Sequence, residues 1–597
     1  METSFLAQQF VPIMFAGLFV LLLTGFPVAF ALAATGLGFG FIGMEAGLFP
    51  PTLFQALPLR IFGIMQNDTL LAIPFFTFMG IILERSGMAE DLLETVGQVF
   101  GPVRGGVAIA VILVGALLAA TTGVVAAAVI SMGLISLPIM LRYGYSRVIA
   151  TGTITASGTL AQAIPPSLVL IVLADQLGRS VGDMYAGAMI PGLLLVGLYI
   201  AFIVVVAIVR PAMVPALPPE ARIYREPDGS SGHRSLLVLL AVCAAVAVGW
   251  ARIHDAALGV LLGRTEPAAS DEVVIMSMTV ASLLGLLLSV INRALRMGLL
   301  SRLAEQVTFV LMPPLILIFL VLGTIFLGVA TPTEGGAMGA LGAMILALFK
   351  RKLDMPLMRQ ALDSTAKLAS FVLFILIGST VFSFTFNAAD GHIWVEHLFD
   401  SMPGGAMGFL IVVNILIFVL GCFIDFFEIA FIVIPLLAPV AEKILPELVP
   451  GMSPDQVMIW FGVIIAMNLQ TSFLTPPFGF ALFYLRSVAP KRDYKDRVTG
   501  QNIPAVTTSE IYKGSIAFIV LQLIMVVAVI TVPSLVTGGM DQKKGLDNDA
   551  VMEQLQDSSM VEDESAQKED SPAEEASKEG ASEKSDDDAL KELLNKK

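Results

Sequence analysis

Apolar stretches long enough to cross a membrane recur along nearly the whole chain, from Phe10 to about Leu535. A helix needs about 20 mostly apolar residues to cross the hydrocarbon core of a bilayer. Charged residues make up only 14% of the sequence and hydrophobic residues 56%, and the mean hydropathy is +0.84. This composition excludes an ordinary soluble domain and predicts an all-α polytopic membrane protein with roughly a dozen membrane segments.

The negative charge of the chain is concentrated at its C-terminal end. The formal net charge is −14, and residues 541–597 supply −10 of it through 18 acidic and 8 basic side chains, which leaves −4 for the rest. A tail so rich in Glu, Asp, Ser and Lys buries too little apolar surface to offset the entropy lost on ordering. We therefore expect the tail to be disordered.

The basic residues outside the tail predict which loops face the cytoplasm. They cluster in residues 210–234, 293–302, 350–352 and 491–497, whereas residues 390–405 contain no Lys or Arg. By the positive-inside rule, the basic loops are cytoplasmic and the 390–405 loop lies on the opposite side. The first apolar run lacks a basic leader and a cleavage site, so we expect it to remain as a membrane helix.

Four stretches of Gly, Pro and polar residues interrupt the apolar segments near their middle, at residues 120–123, 157–167, 328–336 and 468–479. In hydrocarbon, non-helical backbone persists only where protein covers it or where it lines a cavity. The first and third interruptions divide apolar segments into halves and predict re-entrant hairpins. The Pro-Pro pairs of the second and fourth predict broken helices.

Hairpin and then broken helix therefore occur twice, and the segments TLAQAIPPS and TSFLTPPFG are weakly similar. Such a duplicated order is typical of the internal repeats of secondary transporters. We expect N-terminal membrane helices (1–68), a first transport repeat (69–209), a linker with two extra membrane helices (210–304), a second transport repeat (305–487), a C-terminal loop with the last membrane helix (488–540) and the acidic tail (541–597).

The third interruption has the residues of a capping box, with Thr331 at the N-cap, Pro332 at the first helical position and Glu334 three residues after the cap. A capped helix start explains these residues locally, but not why a helix begins midway through an apolar stretch. A half-helix N-terminus suits a carboxylate, and freed carbonyl and hydroxyl oxygens suit Na+. We therefore interpret this segment, from Gly328 through Glu334, as part of a binding site.

The two Pro-Pro segments allow the same interpretation. Pro165 and Pro476 each begin a pair that removes backbone donors. Hydroxyl groups lie just upstream of both pairs, on Ser157, Thr159, Thr471 and Ser472. Alternatively, each segment is a proline kink that only shapes packing. The occurrence of a matched pair favours binding sites.

Asp425 and Glu428 lie between two apolar runs. Carboxylates at membrane depth are costly and indicate function by default, although these two also fit an interfacial loop. The remaining reactive side chains indicate no catalytic or metal chemistry, because Cys243 and Cys422 lie in apolar runs and the histidines lack metal-site spacing. There is no phosphate-binding loop of the GxxxxGK[ST] type, so nucleotide hydrolysis by this chain is not expected.

Several motifs lie along residues 73–486. They are Ile73-Pro74-Phe75-Phe76, Leu83-Glu84-Arg85-Ser86-Gly87, Gly158-Thr159-Leu160, Ile164-Pro165-Pro166-Ser167, Ala186-Gly187, Pro191-Gly192, Thr331-Pro332-Thr333-Glu334, Gly421 with Asp425, and Asn468 with Leu474-Thr475-Pro476-Pro477-Phe478-Gly479. Through them the chain resembles the large permease subunit of tripartite ATP-independent periplasmic (TRAP) transporters, in the ion-transporter superfamily. Any one motif is common, and the combination is specific.

The resemblance implies an elevator-type transporter that takes up a small organic anion, such as a C4-dicarboxylate, by symport with Na+ across the bacterial inner membrane. It also implies a periplasmic solute-binding protein that delivers the substrate and a small four-helix membrane subunit. No such helical domain precedes Phe10, so we expect the small subunit to be a separate chain. No cofactor is expected beyond the coupling ion.

In the family, sodium sites lie where hairpin tips face broken helices. The resemblance therefore implies one site between residues 121–123 and residues Gly158 and Thr159, and a second between residues 331–333 and residues 471–475. Together with the motifs above, the candidate ligands of ion and substrate are Thr121, Thr122, Gly123, Gly158, Thr159, Pro165, Gly328, Thr331, Pro332, Thr333, Glu334, Asp425, Thr471, Ser472, Thr475 and Pro476, with Na+ assigned to Thr121, Gly158, Thr159, Thr331, Thr333, Thr471 and Thr475. The first tip departs from the Ser-rich tip usual in the family, and the two extra helices and the acidic tail are additions.

Two other functions are compatible with parts of this pattern. An ion or solute channel could also use broken helices, and saturable flux that depends on Na+ and a binding protein would argue against it. An intramembrane enzyme would need a set of catalytic residues that the sequence lacks. Detection of a chemically altered product would favour this alternative.

Overall fold

The protein is described here from a computed structural model, which covers residues 2–221, 223–224, 232–262, 268, 270–296, 298–400, 404–496 and 498–538. The acidic tail, residues 541–597, lies outside the described residues, so its disorder stays a prediction. Part of the basic segment 210–234 also lies outside them.

The described chain is almost entirely helical. Its first part contains α1 (Glu2–Leu23), α2 (Val28–Glu45), α3 (Leu57–Met65), α4 (Asp68–Arg85), α5 (Met88–Phe100), α6 (Gly106–Thr122), α7 (Val125–Arg142), α8 (Arg147–Thr159), α9 (Leu168–Gln176), α10 (Val181–Val209), α11 (His233–Leu262) and α12 (Ser270–Leu295). Its second part contains α13 (Arg302–Phe326), α14 (Pro332–Phe349), α15 (Met355–Ala388), α16 (Gly391–Asp400), α17 (Gly405–Leu420), α18 (Phe426–Ile444), α19 (Pro454–Phe473), α20 (Phe480–Val488), α21 (Thr508–Thr531) and α22 (Ser534–Thr537). Two short strands, β1 (Tyr494–Lys495) and β2 (Asn502–Ile503), pair antiparallel before α21.

Eleven helices within the described residues are long and apolar enough to cross a membrane. This confirms the predicted all-α polytopic fold. The two extra helices predicted between the repeats are present as α11 and α12, which pack on each other and on α13.

Polar caps explain where several of these helices begin. Ser180 and Asp354 accept hydrogen bonds from first-turn backbone N–H groups of α10 and α15. Ser453 and Gln456 form a capping box at the start of α19. Such caps satisfy N–H groups that the helix itself leaves unpaired.

Helix breaks occur at all four predicted interruptions. At the first, α6 ends at Gly123, whose φ of +60° is a left-handed conformation that favours glycine, and α7 packs back on α6. Pro165 and Pro166 separate α8 from α9, and Pro476 and Pro477 separate α19 from α20. The remaining predicted break separates α13 from α14, which are both long and apolar enough to cross a membrane, so the re-entrant hairpin predicted at residues 328–336 is not found there. A further break separates α17 from α18.

The two halves of the described chain contain their elements in the same order. The first half ends with α6–α7, α8–α9 and α10, and the second ends with α17–α18, α19–α20 and α21. By this order α2, α4, α7, α8, α9 and α10 correspond to α14, α15, α18, α19, α20 and α21. Contacts between the halves then occur in matched pairs: α2 on α15 and α14 on α4, α7 on α20 and α18 on α9, and α8 on α21 and α19 on α10. The two halves therefore pack extensively on each other.

Glycines permit the close approach of these crossing helices. A Cβ atom at Gly152 of α8 would lie 2.2 Å from the carbonyl oxygen of Gly514 on α21. A Cβ atom at Gly378 of α15 would lie 2.3 Å from the carbonyl oxygen of Ala29 on α2. Small residues of this kind let membrane helices make extensive van der Waals contact, so both helix pairs depend on them.

We expect Gly152→Ala to destabilise the protein, because the added methyl group meets the backbone of α21. Overpacking of this kind costs about 1–3 kcal/mol, so the midpoint of thermal unfolding in detergent should fall. Gly197→Ala on α10 is the matched control, since a Cβ atom there meets nothing within 4 Å. An unchanged midpoint for Gly152→Ala would contradict the close contact of α8 with α21.

Candidate functional site

The first broken helix lies against both arms of the hairpin α6–α7. A Cβ atom at Gly158, near the end of α8, would lie 2.4 Å from Cγ2 of Val129 on α7. At the hairpin tip, a Cβ atom at Gly123 would lie 3.0 Å from Cγ of Leu168, the first residue of α9. The structure therefore brings the predicted tip and the predicted break together.

Thr121 and Thr159 place buried hydroxyl groups at this junction. Thr121 Oγ1 donates to Leu118 O and Thr159 Oγ1 donates to Ala156 O, both at 2.9 Å. Because each proton is used within its own helix, lone pairs of both hydroxyl oxygens remain available to a cation. The side chain of Thr122 lies outside the described part of the structure.

Gln162 is a polar residue at this break that the sequence analysis did not single out. Its side chain is fully buried, and neither amide atom has a hydrogen-bond partner among the described residues. Buried amides in proteins are almost always paired with protein, water or a ligand, so Gln162 is a further candidate ligand. A lone Gln between Ala161 and Ala163 in an apolar run was the signal that could have identified it.

The second broken helix lies against the hairpin α17–α18. A Cβ atom at Gly421, directly after α17, would lie 2.2 Å from Ser472 Oγ on α19. Asn468 Nδ2 on α19 donates to the carbonyl oxygen and Oδ1 of Asn414 on α17, at 2.7 and 3.0 Å. Asn414 and Gly421 were not predicted as site residues, although an Asn inside an apolar membrane run is a functional signal.

Thr471, Ser472 and Thr475 repeat the arrangement of the first junction. Their hydroxyl groups donate to backbone carbonyls three or four residues earlier, at 2.9, 2.8 and 2.9 Å. Thr471 and Ser472 are fully buried, and Pro476 follows at the break itself. The second junction therefore also offers hydroxyl oxygens to a cation.

The structure does not bring Thr331 and Thr333 to the second broken helix, which corrects the predicted pairing. They lie at the start of α14, which packs on α4 and α13, whereas the helices packed on α19 include α9, α17 and α18. The predicted capping box is present: Thr331 N donates to Glu334 Oε2 at 2.8 Å, and Glu334 N donates to Thr331 Oγ1 at 3.3 Å. Gly328, at φ +67°, turns the chain between α13 and α14, and Pro332 begins α14. Capping accounts for this motif, and long-range packing places α17–α18 on α19 instead.

Asp425 and Glu428 lie at the tip of the hairpin α17–α18. Phe426 N donates to Asp425 Oδ1 at 2.6 Å and Asp425 N donates to Glu428 Oε2 at 3.3 Å, so the two carboxylates cap α18. Within the described residues, by contrast, no side chain caps the N-termini of α7, α9 and α20. The carboxylates favour a cation, whereas the three uncapped N-termini favour an anion.

One protein family covers most of this sequence. Residues 15–535 match the model of the DctM component of tripartite ATP-independent periplasmic transporters. The chain belongs to the TRAP large permease family. This TRAP permease is therefore a multi-pass inner-membrane component of a transporter that takes up solute with a periplasmic binding protein.

The TRAP permease is similar to relatives named for different solutes. It is 28% identical to the C4-dicarboxylate TRAP transporter large permease protein DctM of Pseudomonas aeruginosa, over 74% of this chain and 82% of the relative. It is 25% identical to the ectoine TRAP transporter large permease protein TeaC of Halomonas elongata, over 82% and 92%. It is 23% identical to the isethionate TRAP transporter permease protein DctMQ of Oleidesulfovibrio alaskensis, over 80% of this chain and 60% of the relative.

We expect Thr331→Ala to lower the stability of the TRAP permease, because the start of α14 loses the oxygen that accepts from Glu334 N. Loss of an N-cap costs about 0.5–2 kcal/mol. Thr331→Asp retains an N-cap acceptor and should keep most of the stability, measured by thermal unfolding in detergent. Equal midpoints for the wild type and Thr331→Ala would contradict the capping role.

Proposed function

We propose that this TRAP permease takes up a small carboxylate by symport with Na+. The observation that carries the proposal is that each broken helix meets a hairpin, with buried hydroxyl groups at the junction and an uncapped helix N-terminus after the break. Hydroxyl and carbonyl oxygens suit Na+, and uncapped N-termini suit a carboxylate. The proximity of the two kinds of ligand supports coupled binding of a cation and an anion.

We propose one Na+ site at each junction. The ligands are Thr121, Gly158 and Thr159 at the first junction, and Thr471, Ser472 and Thr475 beside Asp425 at the second. Thr331, Thr333 and Glu334 are not assigned to an ion, because they cap α14, which packs on α4 and α13.

The substrate class follows from the uncapped N-termini and from the relatives. One relative is named for C4-dicarboxylates, another for ectoine and a third for isethionate. We propose a C4-dicarboxylate or a similarly small carboxylate for this chain. A periplasmic solute-binding protein delivers it, and a small four-helix membrane subunit, carried by a separate chain, completes the transporter.

We further propose that the hairpins, the broken helices, α10 and α21 move as one transport unit, in the manner of an elevator, against α2, α4, α14 and α15. Ion pairs support this division. Arg147 at the start of α8 pairs with Glu510 of α21 at 2.6 Å. Arg179, just before α10, pairs with Glu442 of α18 and Asp455 of α19. These pairs hold the helices of the transport unit together at its two ends.

Uptake into proteoliposomes tests the proposed function. The liposomes would hold this chain and its small membrane subunit, with the binding protein outside, and labelled C4-dicarboxylates and other small organic acids would be offered with and without an inward Na+ gradient. We expect accumulation above equilibrium only when both the Na+ gradient and the binding protein are present. Omission of the small subunit should abolish uptake.

Other outcomes would contradict parts of the proposal. Equilibration without accumulation would indicate a channel or facilitator. Accumulation driven by a proton gradient, with no response to Na+, would remove both proposed sodium sites. Accumulation of an uncharged solute, and of no organic acid, would remove the assignment of a carboxylate substrate.

We expect Thr159→Ala to raise the Na+ concentration for half-maximal uptake on the order of tenfold, since one oxygen contact to a charged ligand is worth about 1.5–3 kcal/mol. Thr155→Ala is the matched control. Its hydroxyl is also buried on α8 and donates to Thr151 O at 3.0 Å, one turn before the break. Similar Na+ dependence for the two variants would contradict the first sodium site.

A further inference from the structure

A polar contact joins the start of α4 to the end of the first broken helix. Asn67 Oδ1 accepts from Thr69 N at 3.0 Å and thereby caps α4, while Asn67 Nδ2 donates to Asp175 Oδ1 on α9 at 2.7 Å. The second carboxylate oxygen, Asp175 Oδ2, accepts from Gln176 Nε2 at 2.8 Å. Asn67 therefore serves two elements at once, and α4 and α9 pack against each other around it.

The capping-box segment of α14 is hydrogen-bonded to the start of α4, next to this contact. Thr333 Oγ1 donates to the carbonyl oxygen of Asp68 at 2.5 Å, directly beside Asn67 in the chain. The starts of α4 and α14 are therefore bonded to each other, along two helices that pack extensively. Together they form a fixed seat, the residues 67–68 and 331–334, on which the end of α9 rests.

The contact of α4 with α9 has no equal in the other half. By chain order α4 corresponds to α15 and α9 corresponds to α20, yet no comparable packing of α15 on α20 exists in the described ranges. Other crossing contacts do have equals, including α7 on α20 and α18 on α9. The docking of α9 on α4 is therefore a point where the two halves differ.

The residues at the two breaks also differ in exposure, and those at the break beside the packed helix α9 are the buried ones. Pro165, Pro166 and Ser167 are buried at the break beside α9. At the break beside α20, Pro477 is exposed and Phe478 is 46% exposed. In transporters built from two related halves, the two states differ in how the moving unit contacts the static one, so contacts that differ between the halves are the candidates for change.

We propose that the hydrogen bond from Asn67 to Asp175 is a latch that holds the transport unit in the state seen here. In this state α9 packs on α4, and Phe478 at the break beside α20 is exposed. In the opposite state the latch is broken, α20 docks on α15 and position 478 becomes covered as Ser167 is now. This inference rests on the proposed division into a moving unit and a static one. It assigns the Thr331 to Glu334 segment to the seat of the latch.

Asn67→Asp is the variant that breaks the latch alone. An Asp side chain still caps α4, because Asp is as good an N-cap as Asn, but it has no N–H to donate and places a second carboxylate against Asp175. The double variant Asn67→Asp with Asp175→Asn reverses donor and acceptor and restores the hydrogen bond. Asn387→Asp, at an exposed site near the end of α15, is the control for added charge alone.

The state is read from the rate at which a maleimide modifies position 478 in Phe478→Cys protein purified in detergent, at a fixed Na+ concentration and without solute. Peptide mass spectrometry reports that position separately from Cys243 and Cys422. We expect Asn67→Asp to lower the ratio of the latched to the opposite state on the order of tenfold, the size of one hydrogen bond to a charged group. From equal populations of the two states, this slows the labelling about fivefold. The double variant should restore the wild-type rate, and Asn387→Asp should not change it.

Two outcomes would overturn the latch: labelling that is equal in Asn67→Asp and wild-type protein, or slowing that the double variant fails to reverse. Slowing by Asn387→Asp to the same extent would likewise assign the effect to charge and not to the contact. Because labelling needs neither substrate nor a Na+ gradient, failure of the latch is distinct from failure of the proposed symport, which would appear as absent Na+-driven uptake in unmodified protein.

Discussion

The need to satisfy every backbone polar group away from water governs this fold. A helix that breaks at membrane depth exposes N–H and C=O groups, so other protein must cover the break. At the first break, residues 149–174 are all buried, and Ser167 Oγ donates to the carbonyl oxygen of Gln162 at 3.0 Å. The hairpin α6–α7 supplies that cover, and α17–α18 does the same for α19. A broken helix and its hairpin are therefore one structural requirement.

The same requirement explains why the halves cross over. A hairpin covers the near side of its own broken helix, and the far side is covered by helices of the other half, such as α21 on α8 and α18 on α9. Contact at such short range needs glycine, as at Gly152 and Gly514. The ion pair of Arg147 with Glu510 joins the starts of α8 and α21, and that of Arg179 with Asp455 joins the starts of α10 and α19. The broken helix carries the basic partner in the first pair and the acidic partner in the second. Neither half could bury its broken helix alone.

The sequence was sufficient to predict the helix breaks, the capping box and the first hairpin, because each depends on local residues such as Gly123, Pro165 and Thr331. It was not sufficient to predict which segment covers the second broken helix, because that depends on packing between distant parts of the chain. The capping-box residues at Thr331 favoured α14 as the partner, and Asp425 and Glu428 were interpreted as membrane carboxylates or an interfacial loop and not as a hairpin tip. Chain order would have corrected this choice, since α7 ends directly before α8 and the segment directly before α19 is α18. Gln162 was missed because a single amide in an apolar run is a weaker signal than the Pro-Pro pair that follows it.

The hairpin tips beside the two breaks carry different charges. At the tip beside α19, Asp425 and Glu428 cap the start of α18, whereas at the tip beside α8 the N-cap residue of α7 is Val124 and no side chain caps the helix. An anion is less costly beside an uncapped helix N-terminus than beside a carboxylate pair, and the opposite holds for a cation. On the proposed function, the substrate carboxylate therefore belongs nearer to the first junction, and the cation that most needs a negative partner belongs at the second. The two hairpin tips therefore differ in charge although the two halves have the same order of elements.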